Sequence, residues 1–338
     1  NTTTTYDDNN LDATLGVAAP TDNGVPPLYN ACVYHANRLF MNDPANPGFV
    51  WYSELANPYT VASTNFLRIG DNTSDIVKGL GVYEAHVYVY CENSVWLIYM
   101  NSTDPDEWSV LRTKSAYGSK SPFGVFNFGY KQMFPAIQND KFVGFVSLVG
   151  VDVDPTVNII SGGAAGSEIA SDKIENEVFD VQETYVGNIS STVYKNQAWI
   201  AVTSGNAQST NNRIFLFDFS ISNVAKNQKF SWAPFSGLTP AQFAIYSGNL
   251  YYGTSTATGF VYQADTSSYS DSGVAIDSYY WTKEYSGLDT DFNLQKDFRY
   301  LNILVDKLGD YSMDINYKVD SDIGDGNLIT LNLNPGGS

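Results

Sequence analysis

Two pairs of residues in this chain of 338 could make a metal site by type: Cys32 with His35, and His86 with Cys91. They are its only cysteines and histidines, and four such ligands suit structural zinc. The spacings are three and five residues, both odd, and on a strand an odd spacing sends the two side chains to opposite faces. Buried thiols and ordinary strand histidines are the expectation, without a metal. Two Asp-rich stretches come next. Asp152-Val153-Asp154 reads as a turn. Asp320-Ser321-Asp322-Ile323-Gly324-Asp325-Gly326 loosely follows a calcium loop, but its oxygens are out of register and no Glu stands at the closing position. With 36 Asp and Glu, some carboxyl pair suited to glycoside hydrolysis must exist in space, and the sequence singles out none. No Gly-x-Ser-x-Gly elbow, phosphate loop or dinucleotide fingerprint is present. The expectation is a protein with no catalytic, cofactor-binding or metal-binding residues.

The elements that would carry these residues are strands. Charged residues make up only 16% of the chain against 43% hydrophobic and 14% aromatic, which excludes a disordered chain or a coiled coil. The acids divide into 27 Asp and 9 Glu; Asp favours turns and Glu helices, so the ratio reads as many strands joined by turns. In His86–Cys91, Val87, Val89 and Cys91 share one face and His86, Tyr88 and Tyr90 the other. In Arg213–Phe219, Phe215, Phe217 and Phe219 lie opposite Ile214, Leu216 and Asp218. Strands with two apolar faces are covered on both sides, as where sheets stack on sheets.

A loose repeat agrees. Trp51, Trp108, Trp232 and Trp281 each follow a polar loop, 57, 124 and 49 residues apart. Units of about 40–50 residues with four strands are the mark of propeller blades, the middle interval holding two units and an insertion. Gly248–Gly253 and Gly259–Tyr262 read as two strands joined by a tight turn. The run Ser167–Phe179, with apolar residues at 169, 170, 174 and 178, reads as a helix inserted between blades, with Ser167 or Ser171 as its N-cap. Near the end, Tyr311, Met313, Ile315, Tyr317 and Val319 alternate with polar residues, as do Ile329, Leu331 and Leu333, which reads as an antiparallel sheet with one wet face. The expected fold is all-β: a β-propeller-like ring of short antiparallel sheets with one short helix and a small C-terminal β module. The expected domains are an extended arm (1–29), the propeller-like domain (30–278, helical insertion about 161–180) and the β module (279–338).

A formal charge of −18 argues against binding nucleic acid or an anionic membrane surface. No apolar run approaches the ~20 residues of a membrane span. The polar opening Asn1-Thr2-Thr3-Thr4-Thr5, without a starting Met, reads as a processed chain, a fragment or a chain whose start is missing, with no signal peptide. Two cysteines make no disulfide framework.

The order of several short motifs resembles β-propeller structural proteins of tailed bacteriophages. They begin with Asn37-Arg38-Leu39-Phe40-Met41 and Asp43-Pro44-Ala45-Asn46-Pro47, followed by Trp51-Tyr52-Ser53-Glu54-Leu55-Ala56-Asn57-Pro58. Further on come Ser94-Val95-Trp96, Gly118-Ser119-Lys120-Ser121-Pro122, the stretch 167–179, the hairpin Thr254–Gln263 and Lys296-Asp297-Phe298-Arg299-Tyr300. The resemblance spans roughly residues 30–320. It implies a virion component of the tail hub, nozzle or stabilisation type, a ring of copies of itself beside other tail or portal-proximal proteins. It brings no catalytic residues, and Trp51, Trp108 and Trp232 would be blade-core aromatics. The arm 1–29 would reach a neighbouring copy. The alternatives are a carbohydrate-binding or carbohydrate-cleaving propeller, and an extracellular adhesion or surface-layer protein.

Overall fold

The computed structural model describes residues 26–70, 75–83, 85–128, 131–149, 167–169, 174–219, 231–255, 259–265, 270–271, 274–275, 312–317 and 327–332. The chain divides into two compact units, Asn1–Ser267 and Ser268–Ser338.

The first unit is a series of antiparallel meanders, each in simple chain order. The first sheet is β1 (Cys32–His35), β2 (Arg38–Asn42), β3 (Phe49–Tyr52) and β4 (Phe66–Arg68). The second is β5 (Val77–Tyr83), β6 (His86–Cys91), β7 (Val95–Tyr99) and β8 (Ser109–Arg112). The third is β9 (Phe126–Phe128), β10 (Lys131–Gln138), β11 (Lys141–Val149) and β12 (Ser167–Ile169). The fourth is β13 (Ser190–Tyr194), β14 (Gln197–Val202), β15 (Arg213–Asp218) and β16 (Ser231–Ser236). The fifth has, among the described residues, three strands: β17 (Pro240–Tyr246), β18 (Asn249–Thr254) and β19 (Val261–Gln263).

Successive sheets pack face to face, and one core lies in each gap. Phe40, Val50 and Tyr52 of the first sheet meet Val87, Val89 and Cys91 of the second. The other face of the second sheet, with Tyr88, Tyr90 and Leu97, meets Phe134, Val146 and Leu148 of the third. Met133 and Phe145 then meet Ile200, Phe215 and Phe217 of the fourth, and Trp199 and Ile214 meet Leu250 and Tyr252 of the fifth. The first strands of neighbouring sheets adjoin, β1 with β5 and β13 with both β9 and β17. This is the all-β, propeller-like arrangement that the two-faced strands predict. The first strands start 45, 49, 64 and 50 residues apart, the long interval holding the insertion.

The hairpins share one local cause. Ala36-Asn37, Asn139-Asp140, Lys195-Asn196 and Ser247-Gly248 are two-residue links with both φ between 47° and 77°. Positive φ at both positions is the geometry whose twist matches two paired strands, and Asn, Asp and Gly tolerate it best.

Three readings need correction. Of the run 167–179, Ser167–Ile169 completes the third sheet as β12, pairing with Val146–Leu148 of β11. The helix, α1, covers only Glu175–Phe179 and is capped by Ile174 without a side-chain hydrogen bond, not by Ser167 or Ser171. Pairing with a long strand outweighs a weak helical period in the first half. The expected tight turn within 248–262 is Ser247-Gly248, before β18; β18 and β19 are joined by residues 255–260. Trp108 and Trp232 pack against inter-sheet cores. Trp51 lies on the other face of the first sheet, beside Phe66 at 5.4 Å. Trp281 lies outside the described residues, as does Lys296–Tyr300.

In the second unit, β20 (Ser270–Asp271) pairs with β21 (Val274–Ala275), and β22 (Ser312–Tyr317) with β23 (Asn327–Asn332). In the register, Met313 stands opposite Leu331 and Ile315 opposite Ile329.

Candidate functional site

Strand alternation separates the candidate zinc ligands. Cys32 is exposed, while Val33, on the opposite face of β1, packs against the core with the second sheet. His35 shares that parity, and its Nε2 lies 3.0 Å from the Ala85 carbonyl, beside His86. His86 Nδ1 accepts the Met100 backbone N–H at 3.4 Å. Cys91 is fully buried on the first-sheet side of β6. Burial, reinforced by the Asp75 carboxylate, pushes its thiol far above the usual range. Among the described residues, no three His, Cys, Asp or Glu side chains converge as metal ligands. Asp152, Asp154 and the loop 320–326 lie outside the described residues.

The motifs behind the resemblance form a hydrogen-bonded framework. Arg38 is 6% exposed; its Nη1 donates to the Ser53 carbonyl at 2.7 Å and lies 4.0 Å from Glu54. Its guanidinium sits over the rings of Tyr52 and Trp108 at 5.6 and 5.7 Å, where ring faces favour a cation. Leu39 N–H donates to Ser53 Oγ and Ala56 N–H to the Asn37 carbonyl, tying both halves of the first motif together. Asp43 accepts hydrogen bonds from Asn46, Trp51 Nε1 and the backbone N–H of Ala45. Burial alone would raise its pKa; these hydrogen bonds outweigh burial and hold it below the ordinary carboxylate range. Trp96 Nε1 donates to Ser94 Oγ, which donates to Asp75.

The Gly118–Pro122 motif stitches sheets together. Ser119 N–H donates to the Cys91 carbonyl at 2.7 Å, and Ser121 Oγ to the Ile189 carbonyl at 2.6 Å. A Cβ on Gly118 would stand 2.2 Å from the Glu92 carbonyl oxygen, so only glycine fits.

A surface depression of about 290 Å³ is lined by Asn176, Glu177, Phe179, Asp180 and Arg213. Arg213 lies 4.0 Å from Asp180 within it. Two carboxylates, Glu177 and Asp180, line it together with that guanidinium.

The strongest surface feature is apolar. Of fourteen large apolar side chains exposed among the described residues, eleven lie in or beside the first and fifth sheets. In both sheets a group gathers at the end where the first strand turns into the second. In the first sheet these are Tyr34, Leu55 and Tyr59, at 59, 47 and 90% exposure; in the fifth they are Ile245 and Tyr246, at 49 and 72%. The sequence hides this group, because Tyr and Leu in a strand-and-turn pattern read equally as core. Only the end position of these sheets in the series distinguishes them.

No protein-family model and no curated protein sequence matches the chain. Among solved structures it is similar to a dihydro-heme d1 dehydrogenase, NirN, in complex with DHE. That similarity has 10% identity and a TM-score of 0.35 over 68% of this chain and 51% of the other. It is also similar to a bifunctional GH43-CE protein of Bacteroides eggerthii, with 11% identity and a TM-score of 0.32 over 66% of this chain and 30% of the other. The chain thus spans about half of one and under a third of the other. No helix among the described residues is long and apolar enough to cross a membrane.

Proposed function

We propose that the chain is a structural protein of a tailed-phage virion, one subunit of a tail hub, nozzle or stabilisation ring that acts by assembly and turns over no substrate. The observation that carries this reading is the apolar group at one end of the first and fifth sheets. Large apolar side chains left open at the end of a sheet mark a surface that another protein covers. In a ring of identical copies that surface meets a different patch of the next subunit, and the contact closes by rotation. The ordered phage-like motifs supply the particle class, since their residues brace the sheets from within. A charge of −18 suits a component past which DNA must slide, because acidic walls offer phosphates no counterion-release gain.

The test is mass spectrometry of purified particles of the phage that encodes the chain, with immunogold labelling of intact virions. The chain is expected in stoichiometric amounts, with label on the tail. Its absence from particles overturns the reading.

A further inference from the structure

One exposed aromatic ring lies away from the apolar groups on the first and fifth sheets. Phe179, at the end of α1, is 74% exposed, while Ile174 and Val178 beside it are buried in the core between the third and fourth sheets. Residues three apart on a helical turn share a side, so Asn176 stands with Phe179 and Glu177 with Asp180. Both pairs line the depression of about 290 Å³, and Arg213, the first residue of β15, lines it from the fourth sheet. The backbone braces this place. Val181 pairs with Ser204, Gly205 N–H donates to the Asp180 carbonyl, and Gln182 N–H donates to the Thr203 carbonyl, each at 2.9 Å. The end of α1 is thus tied to the link between β14 and β15. Ser204 Oγ donates to Asp180 Oδ2 at 3.0 Å and holds that carboxylate. Arg213 Nη1 lies 4.0 Å from the same oxygen. That is too long for a hydrogen bond, so this contact uses none of the guanidinium's donors.

We propose that this depression binds a neutral saccharide unit, at a site separate from the surface that the assembly would cover. Its donors and acceptors define the ligand. Glu177 and Asp180 offer only acceptors, Arg213 only donors, and Asn176 both. An ammonium group has no acceptor for Arg213 and is repelled by it. A carboxylate or a fully ionised phosphate has no donor for Glu177 and Asp180, and two acids repel it. A sugar hydroxyl donates and accepts. Neighbouring hydroxyls can therefore answer a carboxylate and a guanidinium together, since each of these planar groups presents two atoms side by side. Phe179 supplies the apolar half of the site. A pyranose ring turns a face of C–H groups outward, and the negative face of an aromatic ring attracts such positively polarised edges. The volume agrees: it falls just under the ~300–1,000 Å³ of small-molecule pockets, which suits one sugar ring at the end or on a branch of a longer glycan.

Saturation-transfer NMR on the full chain tests this. The probes are the methyl glycosides of glucose, galactose, mannose, rhamnose and N-acetylglucosamine, with arginine amide and inorganic phosphate as charged comparisons. At least one glycoside is expected to bind in the millimolar range, with transfer strongest at the ring C–H protons that meet Phe179. Binding should weaken at least about tenfold in Phe179→Ala and in Glu177→Ala, and persist in Phe179→Trp, which keeps an aromatic face. Phe179 is exposed, so its replacement leaves the core intact. No glycoside binding, whichever charged probe binds instead, overturns the proposal. Glycoside binding that either alanine variant leaves unchanged overturns it too. The measurement is made on the purified chain, so its failure would leave the assembly reading standing, and absence of the chain from virions would leave the sugar site standing.

Discussion

The second and fifth sheets are built from the same meander, yet one is sealed and the other half open. Tyr88, Tyr90, Val87 and Val89 of β6 are all fully buried, because sheets cover both faces. On β17 of the fifth sheet the covered face is the one toward the fourth sheet, with Phe243 in that core, while Gln242, Ala244 and Tyr246 on the opposite face stand in solvent. Both strands are rich in aromatic and β-branched residues, so intrinsic preference does not separate them. Position in the series does: an inner sheet has two neighbours to pack on. The difference assigns stability to the inner sheets and leaves on the outer ones the apolar surface that the proposed assembly would cover.

The contrast breaks most visibly by truncation. Phe134→Ala removes a fully buried ring from the core between the second and third sheets. It should cost about 3–5 kcal/mol in denaturant unfolding, whereas Val261→Ala, 71% exposed, should stay within about 0.5 kcal/mol. Similar losses at both sites would dissolve the distinction. Gly118→Ala comes next, since its methyl meets backbone rather than a side chain that can move. A cost of about 1–3 kcal/mol or more is expected, read as a lowered denaturation midpoint.

Tyr90→Phe is subtler. Tyr90 hydroxyl donates to Gln132 Oε1, and Gln132 Nε2 donates to Asn127 Oδ1 at 2.7 Å. Removing the hydroxyl leaves a buried acceptor short of a donor, at a cost of about 1–3 kcal/mol. Double-mutant cycles with Gln132 would read the coupling.

Two pH effects are smaller again. Burial raises the pKa of Tyr90 and of Cys91. In the unfolded chain the thiol ionises near pH 8.5 and the phenol near 10. Their contribution is full below about pH 8.5 and falls as pH rises, because the unfolded chain then releases protons that the folded one keeps. Asp43 works in the opposite direction. With its folded pKa depressed, its stabilisation is present above about pH 4 and is lost as pH falls through the folded value. Urea midpoints between pH 2 and 10 should therefore fall at both ends, and Cys91→Ala should flatten the start of the alkaline limb. A limb unchanged by that substitution would contradict the thiol's part in it.

Much of this contrast was legible in the sequence, and its limits have physical causes. The apolar pattern on both faces of His86–Cys91 and Arg213–Phe219 already requires two covering layers, and those are the strands the structure seals. The single-face alternation of Met313 and Ile315 against Leu331 and Ile329 also survives as register. The Arg38–Tyr52–Trp108 cluster was not legible, because its partners stand far apart in the chain and meet only when β2, β3 and the end of the β7–β8 loop fold together. The strand at Ser167–Ile169 was missed for the same reason: its partner β11 lies across an insertion, and local spacing favoured a helix. Exposure at Tyr34, Tyr59 and Tyr246 depends on which sheet comes last, a property no short window holds.

In the proposed ring, the end group on the first sheet serves assembly and not folding. Light scattering coupled to gel filtration, on the full chain and on Tyr34→Ser/Leu55→Ser/Tyr59→Ser, tests it most directly. One discrete oligomer is expected for the parent chain, and a monomer with an unchanged urea midpoint for the triple variant. A parent chain that is monomeric at tens of micromolar, or a triple variant that assembles as the parent does, would contradict it.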